Sequence, residues 1–301
     1  MVAFIDEHRG AYGVESICTL LPIAPATYYD HKSKQRDPSR RCVRAIRDER
    51  LKVEIARVWN DNFHVYGVRK VWRQLNREQL SVARCTVARL MSDLGLRGAV
   101  RGARKRTTVP NDALARPLDH VKRNFHTERP NALWVADLTY VATWRGFVYV
   151  AFVIDTYARR IVGWRVSSSL AADIALDALE QALHERGVNR TSKLIHHSDR
   201  GVQYLAIRYA ERLSEVGISP SVGSVGDSYD NALAESINGL YKTEVIRRQG
   251  PWKNIEAVEF ATLKWVDWFN HRRLLEPIGN IPPAEKETLY YQQLSEQAMA
   301  A

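Results

Sequence analysis

The sequence predicts an α/β protein in which a mixed five-stranded sheet with flanking helices follows an all-α helix-turn-helix domain. Three observations point there. Residues 51 to 94 carry apolar side chains at helical spacing, residues 132 to 167 form runs rich in Val, Tyr, Phe and Ile, and helical and strand patterns alternate from 168 to 247. At 301 residues the chain has length for about two domains and a sizeable core.

Along the chain, residues 1–50 read as an N-terminal helical arm. Residues 14–29 suggest a short helix, a break at the prolines and a second helix, either the remnant of a helix-turn-helix or a packing arm. Residues 30–50 are polar and basic, suiting a linker or an exposed helix. The domain at 51–98 is clearer: Leu51, Ile55, Val58 and Trp59 share one helical stripe, and Val68, Val71, Trp72 and Leu75 another. After a polar turn come Val87, Leu90, Met91 and Leu94, closed by Gly95 as a C-cap. Three short helices, two joined by a tight turn, predict a helix-turn-helix, with Arg84, Thr86 and Arg89 facing DNA and Arg69, Lys70 and Arg73 beside its backbone. Residues 99–130 form a basic, Pro-containing linker.

The core domain spans 131–272. Residues 132–142, 147–155 and 160–167 predict a three-strand meander, with turns at Trp144-Arg145-Gly146 and Tyr157-Ala158-Arg159. A helix bearing Ile174, Leu176, Leu179 and Leu183 follows. Then come a strand at 193–197, a helix near 203–216, a strand at 218–222 and a long helix from about 230 to 247. Residues 273–301 make a C-terminal tail.

Composition narrows the function. The net charge is +10, and residues 31–110 hold 21 Lys or Arg against 7 Asp or Glu, so the rest of the chain nets −4. A basic segment beside an acid-bearing one suits a nucleic-acid grip joined to a metal-dependent site, although a solvated basic surface has the same composition. The longest apolar run, Phe147 to Ile154, is too short to cross a bilayer, and no signal-like segment opens the chain. Cys18, Cys42 and Cys85 are scattered and form no CxxC pair, which fits a reducing, cytoplasmic setting without structural zinc.

Three acids stand in distinctive settings. Strand alternation puts Asp137 on a face with Val135 and Thr139, opposite a face of Trp134, Ala136, Leu138 and Tyr140 that can pack into a core, so Asp137 is expected to be accessible. Asp199 follows a short strand and precedes Gly201, at the sheet end where α/β folds place ligands. On a helical wheel Glu235 shares a polar stripe with Asn231, Asn238 and Lys242, while Leu233, Ile237 and Leu240 lie opposite. That stripe suits a carboxylate ligand beside DNA-contacting groups; a solvated surface helix has the same wheel. The spacing of 35 residues between Asp199 and Glu235 carries little weight in a chain with 34 acids. His196 and His197 lack further His or Cys for zinc, so His197 is expected behind the site, orienting a ligand or touching DNA. Asp155 reads as a turn residue. Asp227, Asp230 and Glu244 are the rival third acids, and the Gly/Ser-rich stretch from Ser221 to Tyr229 reads as a flexible loop.

These contexts resemble the DDE transposases of bacterial insertion sequences, relatives of the retroviral integrases, and above all the OrfB-type protein of the insertion-sequence-three family. The likeness lies in Tyr66-Gly67-Val68-Arg69-Lys70, Val87-Ala88-Arg89-Leu90-Met91, Trp134-x-x-Asp137-x-Thr139-Tyr140, and His197-Ser198-Asp199-Arg200-Gly201-x-Gln203-Tyr204. It continues in Tyr229-Asp230-Asn231-Ala232-x-Ala234-Glu235-Ser236, Lys242, Phe269-Asn270-x-x-Arg273 and Pro283-Ala284-Glu285; Leu274-Leu275-Glu276 stands where many members have Arg-Pro-His. The resemblance implies an RNase H-like integrase catalytic core, with two Mg²⁺ (or Mn²⁺) held by Asp137, Asp199 and Glu235. It implies cleavage at the element's ends, then strand transfer without a covalent protein–DNA intermediate. Implied partners are double-stranded DNA, an OrfA segment bearing a leucine zipper, and further copies of the chain on DNA, all at the bacterial nucleoid. Two alternatives remain at this stage: a non-catalytic DNA-binding regulator of the fused transposase, and a nuclease acting on RNA–DNA hybrids.

Overall fold

The computed structural model describes residues 1–100, 127–170, 172–188, 193–198, 207–222 and 231–300. Most of the basic linker, Asp199, Asp227, Asp230 and nearly all of the Gly/Ser-rich stretch lie outside them.

The arm is more helical than its sequence suggests. Helix α1 (Val2–Tyr12) precedes α2 (Val14–Leu20), and α3 (Pro25–Arg36) starts on the proline, whose fixed φ suits a first helical position. Residues 30–50 are mostly helix too: α3 continues to Arg36, a 3₁₀ turn at Pro38–Arg40 is capped by the Asp37 side chain, and α4 (Val43–Asp61) begins.

Helices α4, α5 (Val68–Arg77) and α6 (Arg84–Asp93) form the predicted helix-turn-helix around buried Leu51, Ile55, Val58, Val71, Leu75, Val87, Leu90 and Met91. Gly95 ends α6 as expected. Its φ is +68°, and the amides of Gly95 and Leu96 bond back to Ser92 O and Met91 O at 3.0 and 2.9 Å. Leu94 is exposed, because as the capping residue it has left the buried stripe.

Strands β1 (Leu133–Thr143), β2 (Gly146–Asp155) and β3 (Arg160–Ser167) make the antiparallel meander. After α7 (Ala172–Arg186), β4 (Ile195–Ser198) joins β1 in parallel; α8 (Ile207–Glu215) leads to β5 (Ser219–Val222), parallel to β4. The strand order is β3-β2-β1-β4-β5. Helix α9 (Ala232–Tyr241) runs through a π-helical turn at Lys242–Ile246 into α10 (Arg247–Gln249), followed by α11 (Ile255–His271) and α12 (Pro283–Ala300).

Both faces of the sheet are core. Trp134, Ala136, Ala151, Val153 and Val162 meet α7 and α8. Gly163 lets α7 lie close, since a side chain there would collide with the carbonyl of Ala178. On the other face Val135, Val150, Phe152 and Ile161 meet α9 and α11 through Leu233, Ile237, Tyr241, Trp265, Trp268 and Phe269. Helices α9 and α11 thus cover the Asp137 face of the sheet, and Asp137 itself stays half-buried.

The same apolar cluster includes the helix-turn-helix. Trp268 Nε1 donates to Asn62 Oδ1 at 3.0 Å, and Tyr66 OH accepts from Leu274 N at 2.8 Å while donating to Arg272 O at 3.2 Å. The C-terminal tail is integral as well. Its buried Glu287 accepts from Arg160 and Arg186 at 2.8 and 2.6 Å, anchoring α12 to the sheet.

Candidate active site

Asp137 sits midway along β1, opposite Phe152 of β2, half-buried beneath α9. Two asparagines fasten α9 there. Asn231 Nδ2 donates to Ala136 O at 2.8 Å, and Asn238 Nδ2 donates to Asp137 Oδ2 at 2.8 Å. A carboxylate only accepts, so the Asn238 amide nitrogen must face it. The other Asp137 oxygen accepts from Leu138 N at 2.9 Å. Glu235 lies four residues after Asn231 and three before Asn238, on the same side of the helix, so the two bonds bracket it over β1.

These contacts correct the expectation that Asn231 and Asn238 touch DNA. Both are buried, at 6% and 7% exposure, and both are committed to β1. The polar stripe on the wheel is real, but it faces the strand. Lys242 continues the stripe at the start of the π turn, its ammonium 4.9 Å from the centre of the Tyr140 ring. Burial lowers its pKa; the Asp137 carboxylate works in the opposite sense and Arg247 in the same one. Lys242 is thus within electrostatic reach of Asp137. A π turn beside the Glu-bearing helix is a feature common at functional sites.

His197 lies on β4 across from Val135, hence on the Asp137 face, and its Nδ1 pairs with Ser221 Oγ of β5 at 3.0 Å. His196 points to the other face, fully buried, its Nε2 3.0 Å from Tyr209 OH; burial pushes its pKa down to about 4. The two histidines therefore serve different layers. Among the described residues no three His, Cys, Asp or Glu cluster as a metal site. Of the three sequence-selected acids, Asp137 and Glu235 are described and Asp199, the residue after β4, is not.

Asp155 and Glu244, the latter the one rival third acid among the described residues, have structural duties. Asp155 is fully buried and accepts from the amides of Asn131 and Tyr157 at 2.7 and 3.0 Å, the turn role expected of it; burial pushes its pKa up to about 6. Glu244 is buried and accepts from Arg273 Nε at 3.0 Å and Trp265 Nε1 at 3.1 Å. Asn270, quoted above only as part of a motif, closes the edge of β3 by donating to Ile161 O at 2.8 Å and accepting from Ile161 N at 3.0 Å. A single Asn in a helical stripe carries no sequence signal for such a clamp.

On the helix-turn-helix, Arg84 is exposed at the start of α6 and Thr86, two residues further, is partly exposed. Arg89 is tied to Asp48 of α4 at 2.8 Å. Arg69 pairs with Glu276 at 3.0 Å. Lys70 is half-buried, 5.2 Å from the Tyr66 ring centre, and burial beside Arg273 pushes its pKa down to about 7. Arg73 lies over Trp72 at 4.8 Å. Arg69, Arg73 and Arg84 are thus exposed, whereas Lys70 and Arg89 are partly buried against neighbouring elements.

Comparison with known proteins agrees with this layout. Residues 127–228 and 216–283 each match an integrase core domain, and residues 46–104 match an HTH-like domain. The chain is 56% identical to the transposase for insertion sequence element IS629 of Shigella sonnei over 100% of both chains. It is 60% identical to the putative transposase for insertion sequence element IS986/IS6110 of Mycobacterium tuberculosis (strain ATCC 25177 / H37Ra), covering 91% of this chain and 98% of that one. Among solved structures, the catalytic core domain of HTLV-2 integrase in complex with magnesium aligns with 53% of this chain and 98% of that chain, at 17% identity and a TM-score of 0.43.

Proposed function

Because the chain belongs to the transposases of bacterial insertion sequences, with an RNase H-like integrase core behind an HTH-like domain, we propose that it cuts and joins DNA at a site where Asp137, Asp199 and Glu235 hold two Mg²⁺ or Mn²⁺. It is a DNA transposase, and so a polynucleotidyl transferase.

The observation that carries it is the pair of asparagine bonds that hold the Glu235 helix onto the strand bearing Asp137. The donor chemistry fits hard divalent cations, since all three candidate ligands offer carboxylate oxygen. Among the described residues the buried acceptor oxygens of Asn231 and Asn238 meet no hydrogen-bond donor, which suits a neighbourhood of metal-bound water. When bound, such cations activate an attacking water or 3′-OH and stabilise the leaving oxygen of an in-line displacement.

The chain's own residues then have distinct tasks. Asn238 fixes the Asp137 carboxylate, and Asn231 sets the height of α9 above β1. Lys242 offers a positive charge to a phosphate beside Asp137. His197, through Ser221, holds the end of β4 from which Asp199 follows. Arg84 and Thr86 meet the DNA away from the scissile bond. The family likeness further leads us to propose an OrfA segment as partner and assembly of several copies on paired ends.

The test uses duplex DNA carrying the element's ends with Mg²⁺, with and without the OrfA segment. Asp199→Asn and Glu235→Gln proteins should bind the duplex and neither cut nor join it. Normal strand transfer by either variant would remove that acid from the assignment. Binding without cleavage by the unaltered chain, with the OrfA segment present, would favour the regulator.

A further inference from the structure

The helices that precede α4 take no part in that chemistry, and their structure is specific. Helices α1 to α3 enclose a core of their own, Ile5, Ile17, Cys18 and Tyr28, distinct from the two clusters that build the rest of the described protein. We propose that α2 and α3 are a second helix-turn-helix and that α3 enters the major groove of duplex DNA. The ligand class rests on the transposase reading.

The layout supports it in three ways. First, α2 is joined to α3 by only the four residues 21–24, a link of helix-turn-helix length. Second, the unit repeats the plan of α4 to α6. In each, the first helix supplies an aspartate that grips the last helix. Asp48 of α4 accepts from Arg89 of α6 at 2.8 Å; Asp6 of α1 accepts from Tyr28 OH at 2.8 Å and Lys32 Nζ at 3.0 Å on α3. Both bonds lower the Asp6 pKa and keep it ionised. Third, α3 turns Tyr28 inward and leaves Ala26, Thr27 and Tyr29 exposed, while the exposed Asp30 carboxylate is neutralised by Lys34 at 2.5 Å. Such a face holds a small residue where a helix must approach base edges, with polar and aromatic groups beside it.

Charge fits the same ligand. Residues 31–50, the end of α3 and its continuation, hold 8 Lys or Arg against 3 Asp or Glu. That cationic run would meet phosphates flanking the groove, fixing register while α3 reads bases. With α6, the protein would then read two segments of each element end.

Hydroxyl-radical footprinting of the full chain on a duplex containing the element's end, without divalent metal, tests this independently of the catalytic acids. Wild type should protect two separated segments. Ala26→Glu puts an acid in the first turn of α3, which suits the helix electrostatically but repels DNA. Tyr29→Ala removes an exposed ring. Each should lose one segment and bind about tenfold more weakly, the size of one good base contact, while keeping the segment that Arg84→Ala abolishes. Thermal melting checks that the variants fold; if Ala26→Glu is misfolded, Tyr29→Ala decides. A wild-type footprint in the folded variants, or a single segment lost entirely with Arg84→Ala, would overturn the proposal whatever the arm does to self-association.

Discussion

Replacing Asn238 by Leu asks whether positioning of Asp137 matters to the chemistry. The side chain is nearly isosteric, so packing under α9 is conserved, but the 2.8 Å bond to Asp137 Oδ2 is lost. A hydrogen bond to a charged group is worth about 1.5–3 kcal/mol. If all of it acts on the geometry of Asp137 and Glu235, cleavage slows by about 10- to 150-fold. Asn231→Leu breaks a bond of the same length to a neutral carbonyl, worth about 0.5–1.5 kcal/mol, and should slow cleavage only about 2- to 12-fold. The assay is single-turnover cleavage of an end-labelled duplex across a Mg²⁺ titration, with urea melts alongside. Asn238→Leu should also need more Mg²⁺ for half-maximal rate, because the Asp137 carboxylate is no longer pre-set. A rate within twofold of wild type at all Mg²⁺ concentrations, or a larger defect in Asn231→Leu, would refute the positioning role.

Three further outcomes are expected. Glu244→Gln leaves the Arg273 guanidinium buried without its counter-charge and should cost about 3–5 kcal/mol in urea unfolding; a loss below about 1 kcal/mol contradicts the buried pair. Burial holds His196 neutral with a pKa down to about 4 from 6.5, so the unfolded chain binds the extra proton between those values and stability is lost as pH falls through them, by about 3 kcal/mol. Asp155, raised to about 6 by burial, works in the opposite sense over an overlapping range, so the effect is read as the difference between wild type and His196→Phe, which should change below pH 6.5; a difference independent of pH refutes it. Arg84→Ala should weaken duplex binding about tenfold by fluorescence anisotropy, whereas Arg89→Ala, whose guanidinium is held by Asp48, should mainly lower the melting temperature. Equal binding defects in the two would show that Arg89 leaves Asp48 to meet DNA.

Local patterns in the chain were enough for the element order of the core and of the helix-turn-helix. The meander of Val, Tyr and Ile runs, the stripe Val71, Leu75, Val87, Leu90, Met91 and the stop at Gly95 each rest on periodicity or on a φ that glycine tolerates, which neighbours in sequence decide. The wheel around Glu235 likewise showed which residues share a side. What no wheel can show is what lies against that side. Asn231 and Asn238 have the pattern of a solvated or DNA-facing stripe, and only the packing of α9 on β1 turns them into clamps on Ala136 and Asp137. The same holds for Arg69, Lys70 and Arg89, whose charge is evident in sequence but whose partners Glu276, Tyr66 and Asp48 come from other elements. Hydrophobic period records how a segment divides its own surface; the identity of a polar side chain's partner depends on contacts between segments distant in the chain. The fold class was therefore written in the sequence, and the assignment of polar residues to strand or domain contacts was decided by the tertiary structure.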